Sequence, residues 1–189
     1  MKLFCYRKST QEKIKDATFR LLAEKGYAQV TMRDIAKKAG TAVGQLTYHY
    51  KKKELLICSV IEDVANTCID ELKKRIKENK AKLRAVIDFF DEVYVMEPDM
   101  ERVLVDFMTE SMWNDSLKEK FNIFIEKITK LIEDIYIEYK YSTEDARLKA
   151  EFFVASISGI MSQRLLKEKS DYTIGNYRLI LINEAKGEA

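Results

Sequence analysis

The sequence predicts an all-α protein. Only one proline and six glycines interrupt its 189 residues, and these two residue types are the ones that most often end helices. Lys, Glu, Leu, Ile and Ala are abundant, a composition that favours helix. Apolar residues recur at spacings of three and four along much of the chain, the period of a helix with one buried face. We therefore expect helices joined by short turns, without a repeat or a flexible linker.

The first three helices form an N-terminal group. Ser9, with Glu12 three residues later, has the spacing of a capping box, and Gly26 is placed to end this helix. A second, short helix begins at Thr31 with Asp34 as its capping-box partner. A third follows at once and precedes a run of three lysines. The expected ranges are 9–25, 31–39 and 42–50.

Six further helices are expected beyond this group. Pro98 is the only proline, and the residue before a proline is disfavoured in a helix, so a boundary falls near Glu97. Asp99 is then expected to cap one helix, and Asn114 or Asp115 to cap the next. The expected ranges are 54–79, 82–96, 99–112, 115–141, 143–166 and 171–185.

Charge divides the chain into two parts. Residues 1–53 hold 13 Lys and Arg against 4 Asp and Glu, a net charge of +9, which leaves 20 against 27, or −7, for residues 54–189. A basic segment on an acidic body suggests a polyanionic partner at one end, although a solvated lysine-rich face is the alternative. We place a domain boundary here, with a DNA-binding domain at 1–53 and a second domain at 54–189.

Cysteines and hydropathy indicate a cytoplasmic protein. Cys5, Cys58 and Cys68 are scattered, with no Cys-x-x-Cys pair and no neighbouring histidine. They are expected to be reduced thiols, without a disulfide framework or a zinc site. We see no signal peptide, and no apolar run approaches the roughly 20 residues of a membrane-spanning helix, so no membrane partner is expected.

Residues 31–50 have the spacing of a helix-turn-helix. Ala36 is small where two helices would cross, and Gly40, four residues later, suits a turn with positive φ. Leu46, six residues further on, would hold the second helix to the core. This pattern inside a basic segment indicates DNA binding, although it also occurs in three-helix bundles that bind nothing.

The stretch TMRDIAKKAGTAVGQLTYHYKKKELL resembles the DNA-binding signature of the TetR (tetracycline repressor) family. The resemblance covers about residues 9–60, and further along only the helix count and the segment ASISGIMSQRLL are similar to the family. One departure is Thr47, where relatives often have tyrosine. The matching residues are Gly44, Leu46, Tyr48, Tyr50, Lys51, Lys53, Glu54 and Leu55.

Geometry and the resemblance together suggest roles within the motif. Gln45 and Thr47, at the start of the recognition helix, are candidates for base edges, since glutamine pairs with adenine and a threonine methyl can touch a thymine methyl. Thr31 and Thr41 lie at helix N-termini, where hydroxyl and backbone N–H groups suit a phosphate oxygen. Arg33 could contact either.

The remaining candidates are expected to contact or approach the sugar-phosphate backbone of DNA. Gly44 would let the helix approach the groove, while Tyr48 and His49 correspond to phosphate or sugar contacts in relatives. Lys51 and Lys53 would neutralise phosphates. A core position for Tyr48 is the alternative, and Tyr50 is expected in the core. The candidate DNA contacts are therefore Thr31, Arg33, Thr41, Gly44, Gln45, Thr47, Tyr48, His49, Lys51 and Lys53.

The acidic body is rich in aromatic and methionine side chains. Plain core packing is one interpretation, but such side chains can also line an adaptable apolar cavity between helices. The resemblance places an effector cavity among the middle helices, and no motif identifies its ligand beyond a small, largely apolar molecule. The candidates are Phe90, Tyr94, Phe107, Met108, Trp113, Phe121, Phe124 and Phe153.

The last two predicted helices resemble the family's dimerisation bundle. Small side chains would let a second helix approach closely, and apolar neighbours would complete the packing, although packing within one chain is the alternative. The small residues are Ala155, Ser156, Ser158 and Gly159, and the apolar ones are Ile157, Ile160, Met161, Leu165, Ile174, Tyr177, Leu181 and Ile182.

These patterns predict a transcriptional regulator that binds a palindromic operator as a homodimer and is released by a ligand. The sequence lacks a P-loop, Gly-x-Ser-x-Gly, His-Glu-x-x-His or Gly-rich dinucleotide turn, so no catalytic residue, metal or cofactor is expected. The only histidine, His49, has no carboxylate or cysteine at triad spacing. Activation instead of repression remains open, and a helical dimeric scaffold or adaptor without a ligand switch is the rival hypothesis.

Overall fold

The computed structural model describes residues 9–167, apart from the side chains of residues 94 and 95. Within this range the fold is all-α, as predicted, with eight α-helices and a single 3-10 turn at Tyr27–Gln29. The ninth predicted helix, 171–185, lies outside the described residues. The helices are α1 Thr10–Lys25, α2 Met32–Ala39, α3 Val43–His49, α4 Lys53–Glu78, α5 Lys82–Met96, α6 Pro98–Ser111, α7 Asp115–Glu138 and α8 Thr143–Lys167.

None of the helices in the described range is long and apolar enough to cross a bilayer.

Both predicted capping boxes form. The Ser9 hydroxyl accepts a hydrogen bond from the Glu12 backbone N–H at 3.2 Å, and the Glu12 carboxylate accepts one from Ser9 N–H at 2.6 Å. Thr31 and Asp34 make the same reciprocal pair at the start of α2. Each box satisfies two backbone donors that a helix N-terminus otherwise leaves without partners.

The predicted cap at Asp99 is wrong. Helix α6 begins one residue earlier, with Pro98 in its first turn and Glu97 as the N-cap residue at φ −133°. Proline suits the first helical position because it has no N–H to satisfy and its φ is already close to the helical value. The next cap is Asn114, one of the two alternatives, since its side-chain Oδ1 accepts a hydrogen bond from Leu117 N–H at 3.1 Å.

Helix α7 ends at Glu138, three residues before the predicted end. Lys140 adopts φ 73°, a left-handed conformation that is uncommon outside glycine. The N–H of Tyr141 then donates to the Tyr136 carbonyl at 3.2 Å, which closes the last turn. Because a lysine occupies the position where glycine is usual, the sequence carries no signal for this end.

Two compact units divide the chain. The first comprises residues up to Thr67 together with Glu97–Phe121. Within it α1 packs against α2 and α6, and α2 packs against α3. Helix α4 begins in this unit and ends in the other, so the boundary between the compact units falls within this helix. The functional boundary between residues 53 and 54 stays a prediction.

The second unit comprises Cys68–Met96 together with the residues from Asn122 onward. Its core contains large apolar side chains such as Phe89 and Phe153, which are almost fully buried. Ion pairs join its helices, and each brings together oppositely charged residues of two different helices. These pairs are Arg75–Glu92, Lys82–Glu138 and Arg147–Glu126.

Candidate nucleic-acid interface

The turn between α2 and α3 has the geometry that its sequence predicts. Gly40 lies in the left-handed region at φ 66° and ψ 37°. The N–H of Thr41 donates to the Ala36 carbonyl at 3.0 Å, which closes the end of α2. Ala36 itself is buried, as are Ile35 and Leu46 on the inner faces of the two helices. As the spacing predicts, Ala36 and Leu46 pack in the core and Gly40 forms the turn.

Helix α3 buries one side and exposes the other. Tyr50, just after the helix, is also buried, and its hydroxyl oxygen accepts a hydrogen bond from Gln11 Nε2 at 3.0 Å. Tyr48 is 84% exposed, so the alternative that it belongs to the core does not hold. The exposed residues of the helix are Val43, Gly44, Gln45, Thr47, Tyr48 and His49.

The two leucines at the start of α4 differ in burial. Leu55 is 54% exposed, whereas Leu56 is fully buried. The buried leucine, one residue further along α4, is therefore the one that packs this helix into the core. The four-residue spacing of apolar positions along α4, from Leu56 to Val60 and Val64, also indicates that Leu56 lies on the buried face.

Two threonine hydroxyls make hydrogen bonds that determine which polar and apolar groups α3 exposes. Thr41 Oγ1 donates to Gln45 Oε1 at 2.5 Å. Thr47 Oγ1 shares its proton between the backbone carbonyls of Val43 and Gly44, both at 3.0 Å. Since the Thr47 hydroxyl is turned back onto its own helix, the methyl group is what remains for an apolar contact. The Gln45 amide and the Thr47 methyl group are thus both exposed on α3.

Thr31 is committed to the cap of α2. Its hydroxyl accepts from Asp34 N–H at 3.2 Å and donates to the Asp34 carboxylate at 2.9 Å. That hydrogen bond, aided by the nearby charges of Lys25 and Lys37, holds the pKa of Asp34 below its usual range. An ionised carboxylate therefore lies beside the predicted phosphate site at Thr31, whose DNA contact stays a prediction. Arg33, the next candidate, is exposed.

The lysines that follow α3 have different surroundings. Lys53 Nζ donates to the backbone carbonyl of Tyr27 at 2.9 Å and lies 4.3 Å from the centre of the Tyr27 ring. Lys51 and Lys52 are exposed. Lys53 therefore fastens the segment between α1 and α2 within the protein. Lys52, which the sequence analysis left out, is placed as openly as Lys51.

A carboxylate from α6 holds the other side of this segment. Asp106 accepts a hydrogen bond from the backbone N–H of Tyr27 at 2.6 Å. Burial raises the pKa of the Asp106 carboxyl, although the Tyr27 hydrogen bond opposes this shift. Gly26, at φ 75°, lets the chain turn here beside the carboxylate. Because Asp106 is 79 residues from Tyr27 in the chain, no local pattern could have indicated this contact.

Comparisons with known proteins agree with this geometry. The family described as bacterial regulatory proteins, tetR family, matches residues 14–60. The chain is 26% identical over 162 residues to the fatty acid metabolism regulator protein of Bacillus subtilis, covering 82% of both chains. It is 27% identical over 142 residues to the biofilm operon icaADBC negative transcriptional regulator IcaR of Staphylococcus epidermidis, covering 75% of both.

The chain carries a TetR-family domain at residues 14–60, and the relatives that it matches are regulators. Its fold is also that of the Bacillus subtilis transcriptional regulator FadR, solved in complex with stearoyl-CoA, with a TM-score of 0.79 and 22% identity. That likeness covers 93% of this chain and 97% of FadR. The likeness of fold therefore extends beyond residues 14–60 into the helical body.

The predicted effector residues in the first unit differ in exposure. Phe107 is buried, and its ring meets that of Phe121 edge-on, with centroids 5.4 Å apart. Met108, in the same helix as Phe107, is half-buried. Trp113 is 86% exposed. The structure thus places Phe107 in the core of this unit, with its ring against the half-buried Phe121, while Trp113 faces solvent.

The other effector candidates belong to the second unit. Phe90, Phe124 and Phe153 are all buried. Tyr94 lies in α5, and its side chain is outside the described residues. Burial of this kind is equally compatible with core packing, so ligand contact by any of the eight residues stays a prediction.

Helix α8 has an exposed stripe that the sequence analysis only partly found. Its members are exposed and follow each other at three- and four-residue spacing: Leu148, Phe152, Ala155 and Gly159, with Leu166 two turns later. A Cβ atom built on Gly159 would meet nothing within 4 Å. Two predicted interface residues, Ile157 and Met161, instead lie on the buried side of the helix. They pack within the chain because they fall half a turn away from the stripe.

The thiols of the described residues are shielded. Cys58 and Cys68 are free and buried, and burial raises the pKa of both, that of Cys68 to about 12. Cys5 lies outside the described residues. Within the described range no group of three or more His, Cys, Asp or Glu side chains could hold a metal ion.

Proposed function

We propose that this regulator is a repressor that binds an approximately palindromic operator as a homodimer in the cytoplasm and is released by a small, largely apolar effector. The observation that carries the proposal is the exposed face of α3, which presents the Gln45 amide and the Thr47 methyl group beside the exposed Lys51. The protein acts by binding alone and catalyses no reaction.

In this proposal α3 enters the major groove. Gln45 and Thr47 contact base edges, because a glutamine amide can pair with N6 and N7 of adenine and a methyl group can touch thymine. Gly44 allows the helix to come close. The backbone contacts come from the other exposed candidates: Thr31, Arg33, Tyr48, His49 and Lys51. Such contacts position the protein without selecting a sequence.

The exposed stripe of α8 supports the proposed dimer. Leu148, Phe152 and Leu166 offer apolar side chains, and the small Ala155 and Gly159 between them allow a second helix to approach. A two-fold dimer needs the same surface on both chains, and one helix crossing its own copy meets that requirement. Two recognition helices in such a dimer would be spaced by roughly 34–36 Å, or a multiple of it, to reach successive turns of the groove.

The effector class is suggested by relatives. One relative is a fatty acid metabolism regulator protein, and FadR of Bacillus subtilis was solved in complex with stearoyl-CoA. Long-chain acyl-CoA esters are therefore the first compounds to test on this chain. Release requires that the ligand bind the state incompetent for DNA more tightly, since equal affinity for both states changes nothing.

The experiment begins with selection of bound duplexes from random DNA at stated salt concentrations. We expect an inverted repeat whose binding weakens as salt rises, and release of that DNA by acyl-CoA esters but not by free coenzyme A. A coupling free energy of about 1–3 kcal/mol would lower affinity roughly 5- to 150-fold. Phe107→Ala and Phe124→Ala, tested separately, examine one effector candidate in each unit.

The outcomes separate the competing hypotheses. A scaffold or adaptor would select no sequence and show no salt-dependent binding to duplex DNA. A regulator that binds an inverted repeat but is released by none of a library of apolar and cationic compounds would contradict the effector switch alone. Transcription in vitro from a promoter that carries the selected site then distinguishes repression from activation.

A further inference from the structure

Thr41 and Gln45 form a side-chain pair at the start of the recognition helix. Thr41 Oγ1 donates to Gln45 Oε1 at 2.5 Å, across the junction between the turn and α3. Thr41 is half-buried, whereas Gln45 is exposed. The pair therefore links a sheltered residue to one that is open to a partner.

The backbone holds both members of the pair in place. The N–H of Thr41 donates to the carbonyl of Ala36 at 3.0 Å, and that alanine is buried in α2. The N–H of Gln45 donates to the Ala42 carbonyl at 3.0 Å, in the first turn of α3. The hydroxyl thus belongs to the end of one helix and the amide to the start of the next.

An exposed glutamine without such a partner has three rotatable bonds and loses that freedom when it contacts a base. A hydrogen bond made before binding removes part of that cost. The amide oxygen has two lone pairs, of which the Thr41 hydroxyl occupies one, and Nε2 keeps two donors. The held amide can therefore still make a two-bond contact with an adenine edge.

We propose that Thr41 is a positioning residue for base selection, acting through Gln45, instead of a phosphate contact in its own right. The inference rests on the proposed base contact of Gln45. A phosphate contact would strengthen binding to every sequence alike. A positioning residue affects the discrimination between bases at the position that Gln45 contacts.

The test compares Thr41→Val, Thr41→Ser, Gln45→Ala and the double variant Thr41→Val with Gln45→Ala. Valine matches the shape of threonine without its hydroxyl, and serine retains the hydroxyl. Affinities for the selected site, for that site with each base substitution, and for nonspecific duplex are measured at fixed salt. Thermal unfolding of each variant shows whether the fold is retained.

We expect Thr41→Val to lower discrimination at the Gln45 position by about 2- to 12-fold, the range that ordering one rotamer-rich side chain costs. Nonspecific affinity should stay unchanged, and Thr41→Ser should keep the preference. In the double variant the valine should add nothing to the loss caused by Gln45→Ala, because the hydroxyl acts through that amide.

Two results would overturn the inference. Equal weakening on all sequences by Thr41→Val, adding to the effect of Gln45→Ala, would make Thr41 a phosphate contact while leaving the base contact of Gln45 intact. Uniform weakening by Gln45→Ala would remove the base contact from the proposed function, and the positioning role with it.

Discussion

At the scale of single residues, Lys51 and Lys53 follow the same helix but meet different surroundings. Lys51 is exposed, whereas the Lys53 ammonium contacts the carbonyl and ring of Tyr27. We expect Lys51→Met to lower the salt slope of DNA binding by about 0.9, the value of one phosphate contact, with unchanged stability. Lys53→Met should instead lower the free energy of unfolding by about 1–2 kcal/mol.

Salt titration and urea unfolding measure these effects, with Lys73→Met, at an exposed position of α4, as the matched control. A Lys53→Met variant as stable as its parent would show that the contacts with Tyr27 contribute nothing. Loss of one unit of salt slope in that variant would mean that Lys53 leaves Tyr27 to contact a phosphate.

Cys68 supplies a pH dependence of stability. Burial raises its pKa to about 12 in the folded protein, against 9.0 for an ordinary thiol. Above pH 9 the unfolded chain therefore releases a proton that the folded chain keeps, so stability falls as pH rises from about 9 towards 12. Between pH 8 and pH 10 the loss from this thiol is about 1.4 kcal/mol.

The measurement is urea unfolding of the parent and of Cys68→Ala at both pH values. Other groups titrate in the two proteins alike, so the difference between them isolates the thiol. Equal pH dependence in parent and variant would show that the Cys68 thiol ionises in the folded state as readily as in the unfolded one.

At the scale of helices and turns, two glycines of the helix-turn-helix have opposite requirements. Gly40 has φ 66°, which strains any residue with a Cβ atom, while Gly44 lies within α3 with open space around it. Gly40→Ala should destabilise the protein by about 1 kcal/mol. Gly44→Ala should stabilise it by about 0.5–1 kcal/mol, because alanine is the better helix former.

DNA binding separates the two positions again. Gly44→Ala should weaken binding to operator and nonspecific DNA despite the added stability, because a methyl group would keep the helix from the groove. Thermal unfolding and DNA titration of the two variants test this pair. A Gly44→Ala protein that binds DNA as tightly as the parent would refute the close approach at this position.

At the scale of the whole molecule, the exposed stripe of α8 predicts the oligomeric state. Gly159 has room for a side chain within its own chain, so Gly159→Arg should leave the fold intact and prevent a second copy from approaching. Asp70→Arg, at an exposed position of α4, is the matched control. We expect a dimeric parent and control, and a monomeric Gly159→Arg variant with reduced operator affinity.

Sedimentation velocity at micromolar concentration distinguishes these states, and circular dichroism checks the helical content of each protein. A monomeric parent would contradict the proposed dimer. A dimeric Gly159→Arg variant would place the interface on another surface.

Local physics explains which elements the sequence predicted well. The capping boxes at Ser9 and Thr31, the turn at Gly40 and the break before Pro98 depend on residues within four positions of each other. The residues that form each of these features are therefore neighbours in the sequence. The left-handed Lys140 was missed because its conformation is uncommon for lysine.

The candidate site was only partly within reach of the sequence. The helix-turn-helix spacing identified α3 and its exposed residues, because the buried Leu46 determines which side of this short helix faces outward. The side-chain pair of Thr41 and Gln45 and the tie between Lys53 and Tyr27 were not visible. Spacing gives a residue's face, whereas hydrogen-bond partners depend on where the side chains end in space.

By itself, the sequence determined the helical class, the helix-turn-helix and the family, because periodicity, caps and a glycine turn are local and repeat at known spacings. Only the tertiary structure decided that Asp106 holds the segment at Tyr27, and that Ile157 faces inward while Leu148 and Phe152 face outward. Contacts between distant segments depend on how whole helices pack, and packing is a property of all their side chains together.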